Sequence, residues 1–178
     1  MMGFRHADPR FPFLWEEASQ PAARWHAAGE GPVHYFCDTP DGAWAEFLRH
    51  EEITDPQDLP TIRRTVWAVD LGEEPARSVA LPLETLTGGP DTYAACQAEA
   101  QRLRRHGATR LIAPSAALLH GGARGWRVDG GLQPGAPRDG QVIVLFGRRP
   151  ELTGWPAARD GRPGEEVLAR VRHFGGRT

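Results

Sequence analysis

The stretch GPVHYFCDTPDGAWAEFLRH, residues 31–50, holds the clearest structural signal in the chain. Residues 33–37 are β-favouring and follow a Gly-Pro pair, which predicts a short strand. Thr39 then fits the N-cap of a helix, because Pro40 suits the first helical position and an acidic residue follows it. The spacing predicts a helix that runs to about residue 50.

The predicted helix has an apolar face and an outlying carboxylate. Trp44, Phe47 and Leu48 recur at helical spacing and should form the buried face. Glu46 lies roughly opposite that stripe, so its side chain should point away from the core contact of its own helix. A carboxylate in this position is either a solvated surface group or a functional group.

Away from this stretch, the strongest patterns are one helix and three strands. A helix is predicted at 92–106, with Asp91 or Thr92 as its cap and Gly107 as its left-handed stop. Strands are predicted within 61–71, at 110–113 and at 141–146, the last as a buried central strand.

Three further segments lack a regular pattern. Residues 3–15 mix aromatics with prolines and should form at most a short edge strand followed by loop. Residues 120–140 are rich in glycine and predict a long loop, which in a compact domain is usually functional or mobile. Residues 151–164 carry turn-forming residues, and a short helix is predicted after them.

Length and composition predict one domain. The chain has 178 residues, 40% of them hydrophobic and 25% charged, which are ordinary values for a single globular domain. Residues 1–150 should form its body, and residues 151–178 a C-terminal extension with a short helix that belongs to the same domain. The two isolated cysteines, Cys37 and Cys96, should be buried and reduced.

The basic residues exclude several enzyme classes. All 21 of them are arginines, because the chain has no lysine. This excludes a P-loop lysine, a Schiff-base lysine and a Ser-Lys dyad, so a phosphate would be held by arginines, backbone amides or helix N-termini. The net charge of -2 does not favour direct nucleic-acid binding. No apolar stretch is long enough for a membrane span and the N-terminus lacks a signal peptide, which predicts a cytoplasmic protein that does not act at a membrane.

Metal and nucleophile sites have only weak signals. The histidines lack the spacing of a metal-binding motif, so no metal is expected. Ser115 follows a proline at a strand end with His120 nearby, but no nucleophile elbow surrounds it. It is therefore either a nucleophile or, as its position favours, a turn or cap residue.

Five short motifs keep a fixed order along the chain. They are residues 22–26 (AARWH), 31–36 (GPVHYF), 43–50 (AWAEFLRH), 106–116 (HGATRLIAPSA) and 141–146 (QVIVLF). Together with Phe4-Arg5 they resemble the RES domain, the toxin of a class of bacterial toxin–antitoxin pairs, over about residues 3–147. The family patterns are GRW-N, G-P-V-x-Y, A-x-x-E-x-L-x-H, G-x-x-G-L-x-x-P-S-A and N-L-V-L-F. Ala23, His26 and Gln141 depart from them without removing a catalytic group.

The resemblance implies an α+β, ADP-ribosyltransferase-like fold, with two small, mostly antiparallel sheets around a central cleft and flanking helices. It implies an NAD-degrading toxin that cleaves the nicotinamide–ribose bond by phosphorolysis, with inorganic phosphate as co-substrate, or by hydrolysis. A cognate Xre-type antitoxin would cover the active site. Two alternatives stay open: a mono-ADP-ribosyltransferase that acts on a protein target, and an inactive RES-like module that only binds a partner or nucleotide.

The matching positions give the candidate site. Glu46 would be the catalytic carboxylate, because nicotinamide leaves as a neutral base and the reaction needs only negative charge beside the ribose. Tyr35 and Arg24 would belong to the same catalytic site, with Tyr35 stacked on nicotinamide or ribose. Arg5 and Arg24 would hold the pyrophosphate by bidentate contacts. Ser115 would hydrogen-bond the nicotinamide-ribose side.

Overall fold

The computed structural model describes residues 1–17 and 19–174. Residues 175–178 of the predicted C-terminal extension lie outside the described residues. Short 3₁₀ turns occupy Pro56–Thr61 and Pro90–Thr92. The strands and helices are, in chain order, β1 Met2–Ala7, β2 Val33–Cys37, α1 Pro40–His50, β3 Arg64–Asp70, β4 Arg77–Ser78, α2 Leu83–Thr87, α3 Tyr93–Arg105, β5 Arg110–Pro114, β6 Trp126–Val128, β7 Leu132–Pro134, β8 Gln141–Phe146, β9 Thr153–Gly161 and α4 Glu165–Leu168.

The main sheet consists of two halves that meet at a single point. Its strand order is β4-β5-β8-β2-β1-β3-β9, and every pairing except β4 with β5 is antiparallel. β1 and β2 share only the aligned pair Phe4 and Cys37, whereas β1 pairs with β3 along its whole length. A mostly antiparallel four-stranded unit and an antiparallel three-stranded unit therefore diverge from this pair. The predicted α+β class is confirmed, but the two predicted small sheets are joined through this pair into one seven-stranded, mostly antiparallel sheet.

Each half of the sheet is covered by its own helix. The predicted apolar face of α1 packs with Val66 of β3 and with Val167 and Leu168 of α4 in one buried cluster. α3 buries Cys96 and Leu103 against the four-stranded half. The two helices thus flank the line along which the halves diverge.

α1 begins with the N-cap that the sequence predicts. Thr39 has extended backbone angles, and its Oγ1 accepts a hydrogen bond from the backbone nitrogen of Gly42 at 3.0 Å. Pro40 occupies the first turn, where a missing N–H costs nothing. The strands β2, β3, β5 and β8, the helix α3 and the left-handed Gly107 (φ 80) also match the predictions.

Three local predictions are wrong, and a fourth is correct only in part. β1 lies inside the sheet rather than at its edge. The segment 120–140 contains the hairpin β6–β7, and the segment predicted as turns contains the nine-residue strand β9. β9 is an edge strand, a position that tolerates the proline at 156. Thr92 occupies the N-cap position of α3, as predicted, but its hydroxyl makes no capping bond, because it donates instead to the Gly89 carbonyl at 2.8 Å.

Two predictions from composition can be compared with the structure. Cys37 and Cys96 are both buried and unpaired, as expected. None of the helices in the described part of the chain has the length and apolar character that a membrane span requires.

Candidate active site

A cavity of about 300 Å³ lies where the two halves of the sheet diverge. Its wall includes Phe4 and Cys37, the single aligned pair that joins β1 to β2. Four of the five predicted site residues line it, although they come from β1, β2, α1 and the segment before β2: Arg5, Arg24, Tyr35 and Glu46. Ser115 is the fifth, and its hydroxyl contacts Glu46.

Glu46 projects from the middle of α1 into this cavity. A long hydrogen bond reaches its Oε1 from Ser115 Oγ, at 3.4 Å. Burial raises the pKa of the Glu46 carboxyl, while the nearby Arg49 and Arg24 lower it to a smaller extent. The carboxylate is therefore partly sheltered from water. It lies near two cations, Arg49 and Arg24, but among the described residues it forms an ion pair with neither of them.

Ser115 orients that carboxylate from the turn after β5. Its Oγ accepts the backbone N–H groups of Ala117 and Leu118, both at 3.2 Å, which leaves its proton for Glu46. His120 is 93% exposed, and its Nδ1 lies 2.8 Å from Asp139. The geometry favours the turn-and-cap interpretation of Ser115 over a Ser-His nucleophile.

Tyr35 is fixed in the wall by its hydroxyl. The Tyr35 hydroxyl accepts the backbone N–H of Trp25 at 3.0 Å and lies 2.9 Å from His26 Nδ1. In the imidazole tautomer that carries its proton on Nε2, the hydroxyl donates to Nδ1. Burial raises the pKa of Tyr35 and lowers that of His26, so both groups stay neutral.

Arg24 is a buried cation with a fixed plane. Its guanidinium donates to the Thr85 carbonyl and the Thr92 hydroxyl, both at 3.2 Å, and to the Gly88 carbonyl at 2.7 Å. One face stacks on Tyr93, with 4.7 Å between Cζ and the ring centroid. Arg24 thus lines the cavity and also holds the segment that connects α2 to α3 in place.

Arg5 is held differently. Its Cζ lies 5.6 Å from the ring centroid of Phe36, and no hydrogen bond or ion pair engages its guanidinium within residues 1–17 and 19–174. Burial lowers its pKa to about 10, so it remains a cation at neutral pH. A half-buried arginine of this kind is suited to an anionic ligand.

Three further residues of the wall were missed at the sequence level. Arg49 lies one turn after Glu46 on α1, and i,i+3 spacing is the signal that could have found it. Phe174 comes from the C-terminal segment and carries no local signal. His6 accepts a hydrogen bond from Arg64 on its Nδ1 (3.2 Å), and burial together with Arg64 lowers its pKa to about 3. His6 is therefore a neutral imidazole that carries its proton on Nε2.

The site contains no evident metal position. Within the described ranges, no group of three or more His, Cys, Asp or Glu side chains converges. The charged groups of the wall are three arginines, Arg5, Arg24 and Arg49, and one carboxylate, Glu46. The formal excess of two positive charges complements a dianionic ligand.

Comparison with known families agrees with this architecture. The family model described as "RES domain" matches residues 3–163. The chain belongs to the RES domain family. The resemblance inferred from the motifs is confirmed by this match.

The RES domain fold also matches solved structures. One is a chain of the crystal structure of the M. tuberculosis MbcT–MbcA toxin–antitoxin complex. The TM-score is 0.55 at 16% sequence identity, over 87% of this chain and 82% of that one. At that identity the likeness shows the fold alone. A search of the curated proteins finds no match.

Proposed function

We propose that this RES domain is the toxin of a toxin–antitoxin pair and degrades NAD by cleaving its nicotinamide–ribose bond. The observation that carries the proposal is Glu46, a sheltered carboxylate in a cavity whose other charged groups are arginines. Such a site combines one negative charge for a cationic transition state with positive charge for a pyrophosphate.

The chemistry requires little more than that carboxylate. Nicotinamide leaves as a neutral base from a cationic linkage, so no general acid is needed, and positive charge develops on the ribose. A carboxylate about 4 Å from that charge attracts it by about 4 kcal/mol at an effective dielectric near 20. The rate gains the part of this energy that exceeds the attraction to the cationic nicotinamide in the ground state, so a thousandfold in rate is about the upper bound. Ser115 would hold Glu46 in the orientation that this interaction needs.

The remaining predicted residues have roles in binding. Arg5, whose guanidinium has no engaged partner in the described chain, suits the pyrophosphate. Arg24 lines the same cavity and adds positive charge, although three of its contacts hold the α2–α3 connection. Tyr35, fixed through Trp25 and His26, would present its ring to the nicotinamide or ribose.

Inorganic phosphate is the proposed acceptor, which makes the reaction a phosphorolysis. The support is electrostatic, because the excess of arginines in the cavity before NAD binds raises the local concentration of anions, phosphate included. Hydrolysis and transfer of ADP-ribose to a protein need only a different acceptor at the same site.

The proposed partner is an antitoxin that covers the cavity, of the Xre type, in the cytoplasm. Its support is the solved toxin–antitoxin complex that contains a chain of similar fold. Growth arrest on expression of this chain, relieved by co-expression of a neighbouring Xre-like reading frame, is the expected result.

Product analysis tests the function. The purified chain is incubated with NAD labelled in the ribose, with and without inorganic phosphate. We expect release of nicotinamide and formation of a phosphorylated ADP-ribose that requires phosphate. Unphosphorylated ADP-ribose would indicate hydrolysis, and label on protein would indicate ADP-ribosylation. Binding of NAD without release of nicotinamide would show an inactive binding module and contradict the proposal.

A further inference from the structure

The C-terminal segment, residues 164–174, contributes to the cavity although the family match ends at residue 163. Val171 forms a bridge with Leu118, and the backbone nitrogen of Arg172 donates to the Ala117 carbonyl at 2.7 Å. The Arg172 guanidinium adds contacts to the carbonyls of Ser115 and Ala116, at 3.4 and 3.2 Å. The segment is thus bound along the turn that holds Ser115, and it ends with Phe174 in the cavity wall.

Phe174 covers the guanidinium of Arg49. The distance from Arg49 Cζ to the ring centroid is 4.4 Å, which is within the range of a cation–π contact. The edges of the same guanidinium donate to three carbonyls: Ala116, Thr87 at 3.0 Å and Gly88 at 2.6 Å. One face and two edges of Arg49 are therefore fixed, although it is a long and flexible side chain.

Arg49 has no carboxylate at ion-pair distance among the described residues. It is 4% exposed, and all of its hydrogen-bond acceptors are neutral carbonyls. The Gly88 carbonyl is shared with Arg24, so two cations converge on one neutral oxygen. A buried charge is expensive unless an opposite charge accompanies it, and Glu46 can balance only one of the two.

We infer that Arg49, held by Phe174 of the C-terminal segment, is a third arginine that binds the phosphates of the substrate. This inference rests on the proposed function. Arg5, Arg24 and Arg49 carry three positive charges against the one negative charge of Glu46, and a pyrophosphate supplies the two missing negative charges. Phe174 acts through Arg49 and is a positioning residue, because it keeps the guanidinium plane from rotating away from the cavity.

Binding measurements on a protein that does not turn over its ligand test this inference. All variants are made in the full chain that carries Glu46→Gln, and binding is measured by calorimetry with two probes. NAD contains the pyrophosphate, and nicotinamide riboside lacks any phosphate. Arg49→Gln should weaken NAD binding about tenfold or more, the loss expected for a charge-assisted hydrogen bond. Phe174→Leu should weaken it about fivefold, and Phe174→Tyr should restore it.

Neither Arg49→Gln nor Phe174→Leu should weaken binding of nicotinamide riboside. The matched controls are Arg159→Gln and Phe11→Leu, two exposed residues away from the cavity, and both should bind NAD normally. Thermal unfolding verifies that each variant is folded. If Arg49→Gln is not folded, the NAD affinities of Phe174→Leu and Phe174→Tyr test the inference alone. Unchanged NAD affinity, or an equal loss for both probes, would overturn the role of Arg49.

The same experiment separates this inference from the proposed function. If the native protein releases no nicotinamide but Arg49→Gln and Phe174→Leu weaken NAD binding selectively, the proposed reaction fails while the phosphate site stands. If the native protein releases nicotinamide and the NAD affinity is unchanged in both variants, the phosphate site fails while the proposed reaction stands.

Discussion

Glu46 is subject to two opposing requirements at the scale of a single residue. The proposed reaction needs the ionised carboxylate, but burial raises its pKa above the ordinary value of 4.5, so the fold favours the protonated form. Residues that are useful for catalysis are commonly destabilising in this way. The conflict predicts effects on both stability and the pH dependence of activity.

Glu46→Gln should be at least as stable as the native chain at neutral pH. A group whose pKa is raised in the folded state loses stabilising free energy as pH rises through the interval between its unfolded and folded values. Glutamine has no such titration. Urea unfolding of both proteins over roughly pH 4 to 8 measures this difference. The free energy of unfolding of the native chain should fall relative to that of the variant as pH rises. A native chain that gains stability relative to the variant over that interval would show that Glu46 is stabilised as an anion.

The pH profile of activity should have one acidic limb, displaced upward from the value of an ordinary glutamate. Glu46 must be ionised to act, and its pKa is raised by burial. His6 and His26 contribute no limb near neutral pH, because burial lowers the pKa of both. Measurement of kcat/KM against pH tests this, and His6→Gln should leave the position of the acidic limb in place. A limb that disappears in His6→Gln would assign the titration to the histidine.

At the scale of elements, α1 is the support of the site, since it carries both Glu46 and Arg49. The helix starts at a cap that the sequence specifies, Thr39, whose hydroxyl is buried and bonded to Gly42. A rigid helix places a functional group more accurately than a loop does.

Loss of the cap should therefore weaken the whole element. Thr39→Ala should cost about 1 kcal/mol of unfolding free energy, because an N-terminal N–H of the helix loses its acceptor. Thr153→Ala, at an exposed position in β9, is the control and should stay within about 0.5 kcal/mol. Urea unfolding measures both. Equal effects of the two substitutions would mean that the cap does not anchor α1.

The elements that could be predicted are those with a clear local pattern in their own residues. β2, α1 and β8 have dense apolar or capped signals. Motif order predicted Glu46 and Arg24 for one site, and both line the same cavity. β9 was missed because an edge strand needs no apolar alternation, and TGWPAARDG looks like turns. Thr92 is bound to Arg24, a partner 68 residues away, and Phe174 reaches the cavity through packing along residues 115–119. Such contacts depend on tertiary structure, and no local pattern contains them.

At the scale of the whole molecule, the two halves of the sheet are held together by packing more than by hydrogen bonds. β1 and β2 share a single aligned pair, which leaves the divergence that forms the cavity. One apolar cluster spans the junction, with Val69 from the three-stranded half and Phe36 and Ile143 from the four-stranded half. This apolar core therefore limits how far the two halves separate, and the separation between them forms the cavity.

Phe36 is the residue on which this junction depends most. It is fully buried, and Phe36→Ala should cost about 3–5 kcal/mol, while the native chain unfolds in one cooperative transition. Phe11→Ala, at a side chain that is 61% exposed, should cost less than about 1 kcal/mol. Chemical denaturation followed by fluorescence and circular dichroism tests this. Two separate transitions in the native chain would show that the halves fold independently.

The proposed function of the molecule depends on one carboxylate, Glu46, in the cavity between those halves. The most direct test is the initial rate of nicotinamide release from NAD at neutral pH by the native chain, by Glu46→Gln and by Glu51→Gln, an exposed neighbour at the end of the same helix. Loss of the charge should lower the rate in Glu46→Gln by up to about a thousandfold, and Glu51→Gln should match the native chain. A rate for Glu46→Gln equal to that of the native chain would contradict the central claim.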